Sequence, residues 1–185
     1  MTFTDDYYSV HRLRDGQDVR LRLLRRGDRE LLLAGFDALS PDSRYRRFFT
    51  AMPRLPDGFV HHLLDVDGSN RVAIVVEDAS DGEPLGIARF FRLDDTPGAA
   101  EMAIVVVDHA QHHGLGEILL TALGEAARER GIVKFRADVL RTNTAMTTLL
   151  RKVYAGVKTV STDGSVVVYE MTLELPHGPS TPTAL

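Results

Sequence analysis

Two strand-like segments with a helix between them constrain this chain more than any other feature. "AAEMAIVVV" (Ala99 to Val107) is apolar enough to lie at the centre of a sheet. After the glycine-bearing stretch "DHAQHHGLG", a run predicts a helix over Gly116–Arg130, with Ile118, Ala122 and Ala126 on one side and Leu119 and Leu123 beside them. The arginines of its last turn suit the macrodipole, and Gly131 suits a C-cap. "VKFRADVL" then alternates, placing Phe135, Ala137 and Val139 on one face. Strand, helix and strand in that order make a β-α-β unit, whose strands run parallel with a right-handed crossover.

The other segments fix what surrounds this unit. "VRLRLLR" from Val19 reads as a strand, and "GDRELLLAGFDALSP" as a helix with Asp28 at its N-cap, Leu32, Phe36 and Leu39 inward, and Pro41 ending it. Short helical pieces follow, with Phe59 and Leu63, and Val60 and Leu64, one turn apart. "RVAIVVED" (Arg71 to Asp78) and "LGIARFFRL" (Leu85 to Leu93) form a hairpin about "ASDGEP". "TNTAMTTLLRKVYAG" reads as a helix with Met146, Leu149, Leu150 and Val153 in register. A last hairpin turns at Asp163-Gly164, with Tyr169, Met171, Leu173 and Leu175 on one face and Glu170, Thr172 and Glu174 on the other. The expected order is β-α-α-β-β-β-α-β-α-β-β. The expected fold class is α/β: a central mixed, mostly antiparallel sheet with a β-α-β core and flanking helices. Residues 1–18 are expected to be an N-terminal extension, 19–175 the domain, and 176–185 a flexible tail.

Composition narrows the function classes. A chain of 185 residues suits one domain. The net charge of -4 argues against a general nucleic-acid binder. With no cysteine, disulfides, thiol nucleophiles and thiolate metal sites are excluded. The first residues lack the apolar core of a signal peptide, and no apolar run is long enough to span a bilayer. The expectation is a cytoplasmic enzyme or binding domain with no membrane partner. His61–His62 and His109 with His112–His113 raise a metal site, but adjacent histidines point apart and no third ligand has suitable spacing, so no metal is expected.

The glycine stretch carries the chemistry. A helix N-terminus offers unpaired N–H groups and a partial positive charge, and glycine lets a ligand come close, so phosphate is the ligand it suits. "QHHGLG" is neither a Walker A loop nor a dinucleotide fingerprint. By itself it also reads as a tight strand-to-helix turn. In context, Gln111, Gly114 and Gly116 between an apolar strand and an amphipathic helix resemble the acyl-CoA loop of the GNAT superfamily of N-acetyltransferases. "N-x-x-M-x-x-L-L" from Asn143 resembles that family's second cofactor-contacting segment. "LSPDSRYRRFF" and "AEMAIVVVDHAQHHGLG" resemble the bacterial Pat-type protein lysine acetyltransferases. Those proteins often carry a further regulatory domain, for which this chain is expected to be too short.

The resemblance implies acetyl-CoA as co-substrate, held by the loop Gln111, His112, His113, Gly114, Leu115 and Gly116, by strand backbone at Ile104, Val105 and Val106, and by Asn143, which also reads as a helix N-cap. It implies Glu101 as the catalytic base. Partial burial would suit Glu101 to that work, whereas sequence pattern by itself also fits a solvent-facing glutamate near a strand start. Histidines stand where family loops carry Arg or Lys, and histidine gains charge as pH falls toward six. Coenzyme A affinity is therefore expected to rise on acidification. The family's usual tyrosine acid falls at Leu150, so water is expected to protonate the leaving thiolate, with Tyr154 in packing. The run Arg44, Arg46, Arg47 reads as a solvated helix face, or as a contact for an acidic protein or the cofactor's 3′-phosphate. The implied acceptor is a protein lysine, such as one in an acyl-CoA synthetase. A small-molecule amine, or a catalytically silent acyl-CoA-binding module, stays open.

Overall fold

A computed structural model describes residues 2–173. The strands are β1 (Tyr8–Arg12), β2 (Asp18–Leu23), β3 (Arg71–Asp78), β4 (Pro84–Arg92), β5 (Ala99–Val106), β6 (Lys134–Leu140), β7 (Ala155–Asp163) and β8 (Val166–Thr172). The helices are α1 (Arg29–Asp37), α2 (Pro41–Phe48), α3 (Asp57–Leu64), α4 (Leu115–Arg128) and α5 (Thr144–Val153). All eight strands form one sheet in the order β1-β2-β3-β4-β5-β6-β8-β7. Every pairing is antiparallel except β5 with β6. That is the expected mixed α/β sheet, and the parallel pair is the expected β-α-β unit.

The sheet is covered on both faces, and residue parity along β4 shows how. Odd positions meet the early helices: the His62 ring of α3 stacks on Phe91 at 5.3 Å, and Arg89 donates to the Leu63 carbonyl of α3. Even positions meet α4 and the core beyond it. Phe90 packs against Phe135 at 5.9 Å, and Gly86 lies against Leu119 of α4. Burial on two faces explains why β3 reads as an unbroken apolar run rather than an alternating one. In α4, Leu119, Ala122, Leu123 and Ala126 are buried as their spacing predicted, Leu120 and Ala127 join them, and Ile118 is only half-buried.

Several local expectations are corrected. The segment 1–18 is not merely an extension: its residues 8–12 form β1, paired with β2 along its length. Tyr8 and Val10 of that strand are exposed, so its pairing partner rather than burial makes it a strand. Three helices, not two, separate β2 from β3. Pro41 does not end α1. It sits at the start of α2, after the N-cap Ser40, whose hydroxyl accepts from the Ser43 amide. Asp28 holds the N-cap position of α1 as expected, but its side chain makes no capping hydrogen bond. Its carboxylate accepts instead from the Arg25 amide and the Arg22 guanidinium. Tyr169, Met171 and Leu173 are buried as expected, while Glu174, Leu175 and the tail 176–185 lie outside the described residues.

Candidate active site

The ladder between β5 and β6 has three rungs and ends at Glu101–Arg136. Beyond it β5 stays paired with β4 as far as Val106, and β6 stays paired with β8 as far as Leu140. The two strands therefore diverge, and a cleft of about 430 Å³ opens between them. Backbone groups alternate along a strand. Val107 donates to Leu85 on the β4 side, so Val105 also faces β4. Ile104 and Val106 face the cleft, where β6 has withdrawn. Of the three amides expected to be free, that of Val105 belongs to the ladder. The Val106 carbonyl is taken by the Gln111 side chain at 3.1 Å.

The loop at the open end of this wedge has the backbone geometry that suits an anion. A single 3-10 turn at Asp108–Ala110 leads from β5 to Gln111. His112 takes φ 68 and Gly114 takes φ 99, both left-handed. Gly114 then precedes the first turn of α4, with open space where a β-carbon would stand. Among the described residues, none accepts a hydrogen bond from the amides of His112, His113, Gly114, Leu115 or Gly116. Five unpartnered N–H groups at the positive end of a 14-residue helix suit a phosphate. At Gly116 the small residue serves packing as well: a β-carbon there would stand 2.7 Å from Leu149 of α5.

Most predicted site residues converge on the cleft: Glu101, Ile104, Val105, Val106, Gln111, His112, Gly114, Gly116 and Asn143 all line it. Two do not. The His113 ring turns away and pairs with Asp15 at 2.5 Å, which fastens the loop to the connection between β1 and β2. The Leu115 side chain is buried in the core, so its backbone alone is offered to a ligand. Asn143 is the N-cap of α5, accepting from the Met146 amide at 3.1 Å, and it also borders the cleft. Glu101 is exposed, not partly buried as expected.

Residues around the cleft that carry no sequence signal support its wall. Asp108 accepts from the Ser40 amide at 2.8 Å, the Ser40 hydroxyl at 2.7 Å and the Ser43 hydroxyl at 2.8 Å. Burial pulls the Asp108 carboxyl upward, but these hydrogen bonds outweigh it and hold it below its usual range. This contact spans more than sixty residues and pins the start of α2 to the phosphate-type loop, with Gln111 also reaching Ser43. Lys152 and Glu117 pair across the far rim at 2.6 Å. The three arginines of α2 divide. Arg44 donates to the Pro53 and Asp37 carbonyls, Arg46 pairs with Asp42, and Arg47 turns inward beside Phe48. Burial lowers the Arg47 pKa to about 10, with the Glu101 charge acting against that fall. The expected solvated face is thus one arginine, not three.

Tyr154 follows α5 in the core. Its hydroxyl donates to the Leu120 carbonyl at 2.6 Å, its ring meets Phe135 edge-on, and burial pushes its pKa up. It does not border the cleft. Among the described residues no group of three or more His, Asp or Glu side chains is placed to hold a metal, and no helix is long and apolar enough to cross a membrane.

A splayed parallel pair with an amide-rich loop at its mouth is a geometry that suits an acyl carrier bearing a diphosphate. Residues 32–154 match the acetyltransferase (GNAT) family, and the chain belongs to that family, whose acyl donor is acetyl-CoA. Among its relatives is the acetyltransferase Pat of Mycolicibacterium smegmatis, 31% identical over 159 residues, which cover 86% of this chain and 47% of that protein. The chain thus spans about half the length of that relative. An acetyltransferase of Pseudomonas aeruginosa is 31% identical over 139 residues, 74% of each chain. The crystal structure of the GNAT domain of S. lividans PAT superposes with a TM-score of 0.82 at 31% identity, covering 89% of this chain and 96% of that one.

Proposed function

We propose that the chain transfers an acetyl group from acetyl-CoA directly to a primary amine, with Glu101 as the base and a protein lysine as the acceptor. The observation that carries this reading is the divergence of β5 and β6 immediately after Glu101, which sets a carboxylate beside cleft-facing backbone amides. The amides of residues 112–116 hold the diphosphate, and His112 borders it. The Ile104 and Val106 amides serve the pantetheine arm and polarise the thioester carbonyl. A lysine amine has a pKa of about 10.4, so it must lose a proton before attack. Glu101 accepts that proton, directly or through one water. The amine then forms its bond to the carbonyl carbon as the carbon–sulfur bond breaks. The nitrogen sheds its extra proton, and water relays that proton to the departing thiolate, because Leu150 is apolar and the Tyr154 hydroxyl is committed to Leu120. The likeness to Pat-type proteins supports a lysine acceptor, with an acyl-CoA synthetase as the first substrate to try.

The test is release of free coenzyme A thiol with acyl-CoA synthetases and a panel of small amines. Glu101→Gln is expected to lower kcat by about a hundredfold or more while leaving acetyl-CoA affinity near the wild-type value. Unchanged turnover in that variant would remove Glu101 from the mechanism. Thermal stabilisation by acetyl-CoA without thiol release from any amine would favour the silent binding module.

A further inference from the structure

Arg89 is the one basic residue among the described residues that is fully buried, at 2% exposure. Among the described residues no carboxylate pairs with it. Its Nη2 donates to the Leu63 carbonyl at 3.0 Å, and its guanidinium lies 4.5 Å from the centre of the Phe91 ring. Its Nε and Nη1 have no hydrogen-bond partner among the described residues. Arg89 borders a cavity of about 60 Å³ under α1 and α3, walled by Leu32, Phe36, Leu63 and Val105. Arg47 borders the same cavity and the cleft that holds Glu101, and it too forms no ion pair among the described residues. Burial and the nearby Arg47 charge lower the Arg89 pKa to about 9. A buried cation with no carboxylate at contact and a second cation beside it is costly unless something anionic arrives.

The geometry points to an anion subsite for the acceptor: Arg89 and Arg47 take a carboxylate carried by the amine substrate, while its amine faces Glu101. This rests on the proposed reading of Glu101. The cavity is large enough to admit a carboxylate. Two guanidinium forks match the planar acid. The acid has two sources: a free amino acid, or an acidic side chain next to the target lysine.

Paired acceptors distinguish these sources. One arm compares β-alanine, 4-aminobutyrate and 5-aminovalerate with alkylamines of equal length. The other compares short peptides whose lysine is flanked by glutamate or by glutamine. In one arm the wild-type enzyme should favour the acid-bearing acceptor by about tenfold or more in kcat/KM, mostly through KM. Arg89→Gln and, separately, Arg47→Gln should collapse that preference, and Arg89→Lys should keep part of it. No preference in either arm, or a preference that survives both glutamine variants, would overturn the subsite. If no amine is acetylated, the reading of Glu101 fails instead. Calorimetric titration of butyrate into the full chain then decides the subsite by itself: binding lost in Arg89→Gln supports it, and no binding to wild type refutes it.

Discussion

Arg22 and Arg89 stand in the same sheet and are treated in opposite ways. Arg22 on β2 pairs with Asp28 at 2.7 Å and with the buried Glu77 at 2.6 Å. Burial pulls its pKa down, but the hydrogen bonds and charges of these carboxylates outweigh that and raise it. Glu77 also takes Arg20 at 3.0 Å. Arg89 on β4 has a carbonyl, an aromatic ring and two orphaned nitrogens. The fold can neutralise a buried arginine and does so where the arginine is structural. Where it does not, the missing charge lies beside the candidate active site. An unpaired cation in a cavity, more than a paired one, marks a place where a ligand completes the electrostatics.

This contrast can be broken from either side. The largest effect is expected at Glu77. Glu77→Gln leaves Arg20 and Arg22 short of their shared carboxylate and should cost about 3 kcal/mol in a denaturant titration. Loss below about 1 kcal/mol would mean that the network adds little. A smaller effect is expected at Tyr154, which is buried but bonded and apart from the cleft. Tyr154→Phe removes the hydrogen bond to Leu120 and should cost about 1 kcal/mol with kcat unchanged. A large fall in turnover would return the tyrosine to the mechanism. The smallest effect on stability is expected at Arg89. Arg89→Met removes an unneutralised charge at the cost of the Leu63 contact, so its melting curve should stay within about 1 kcal/mol of wild type. Destabilisation as large as that of Glu77→Gln would make Arg89 a structural residue.

Legibility followed the range of the determining interaction. The β-α-β core was readable because burial on two faces writes an apolar run for β5 and a 3.6-residue stripe for α4. The glycine loop was readable because left-handed backbone at Gly114 and close packing at Gly116 both favour glycine. β1 was missed because Tyr8–Arg12 buries little and becomes a strand through β2. The position of Asp28 at the N-cap was readable, but not its bonding, because Arg22 and Arg25 have the stronger claim on its carboxylate. Asp108 gave no signal, since its partners Ser40 and Ser43 lie more than sixty residues away. Arg89 did leave a trace: a lone charge at an inward position of the apolar strand "LGIARFF".

The sequence by itself determined the periodicities, the turn at Gly114 and the order of elements around β5, because each depends on residues within a few positions of one another. The tertiary structure alone decided where β5 and β6 part, which amides that parting frees, and that Arg47 and Arg89 share a cavity. These outcomes depend on strand register and on helices that arrive from distant parts of the chain. Local sequence carries no energy for contacts of that kind until the sheet has formed.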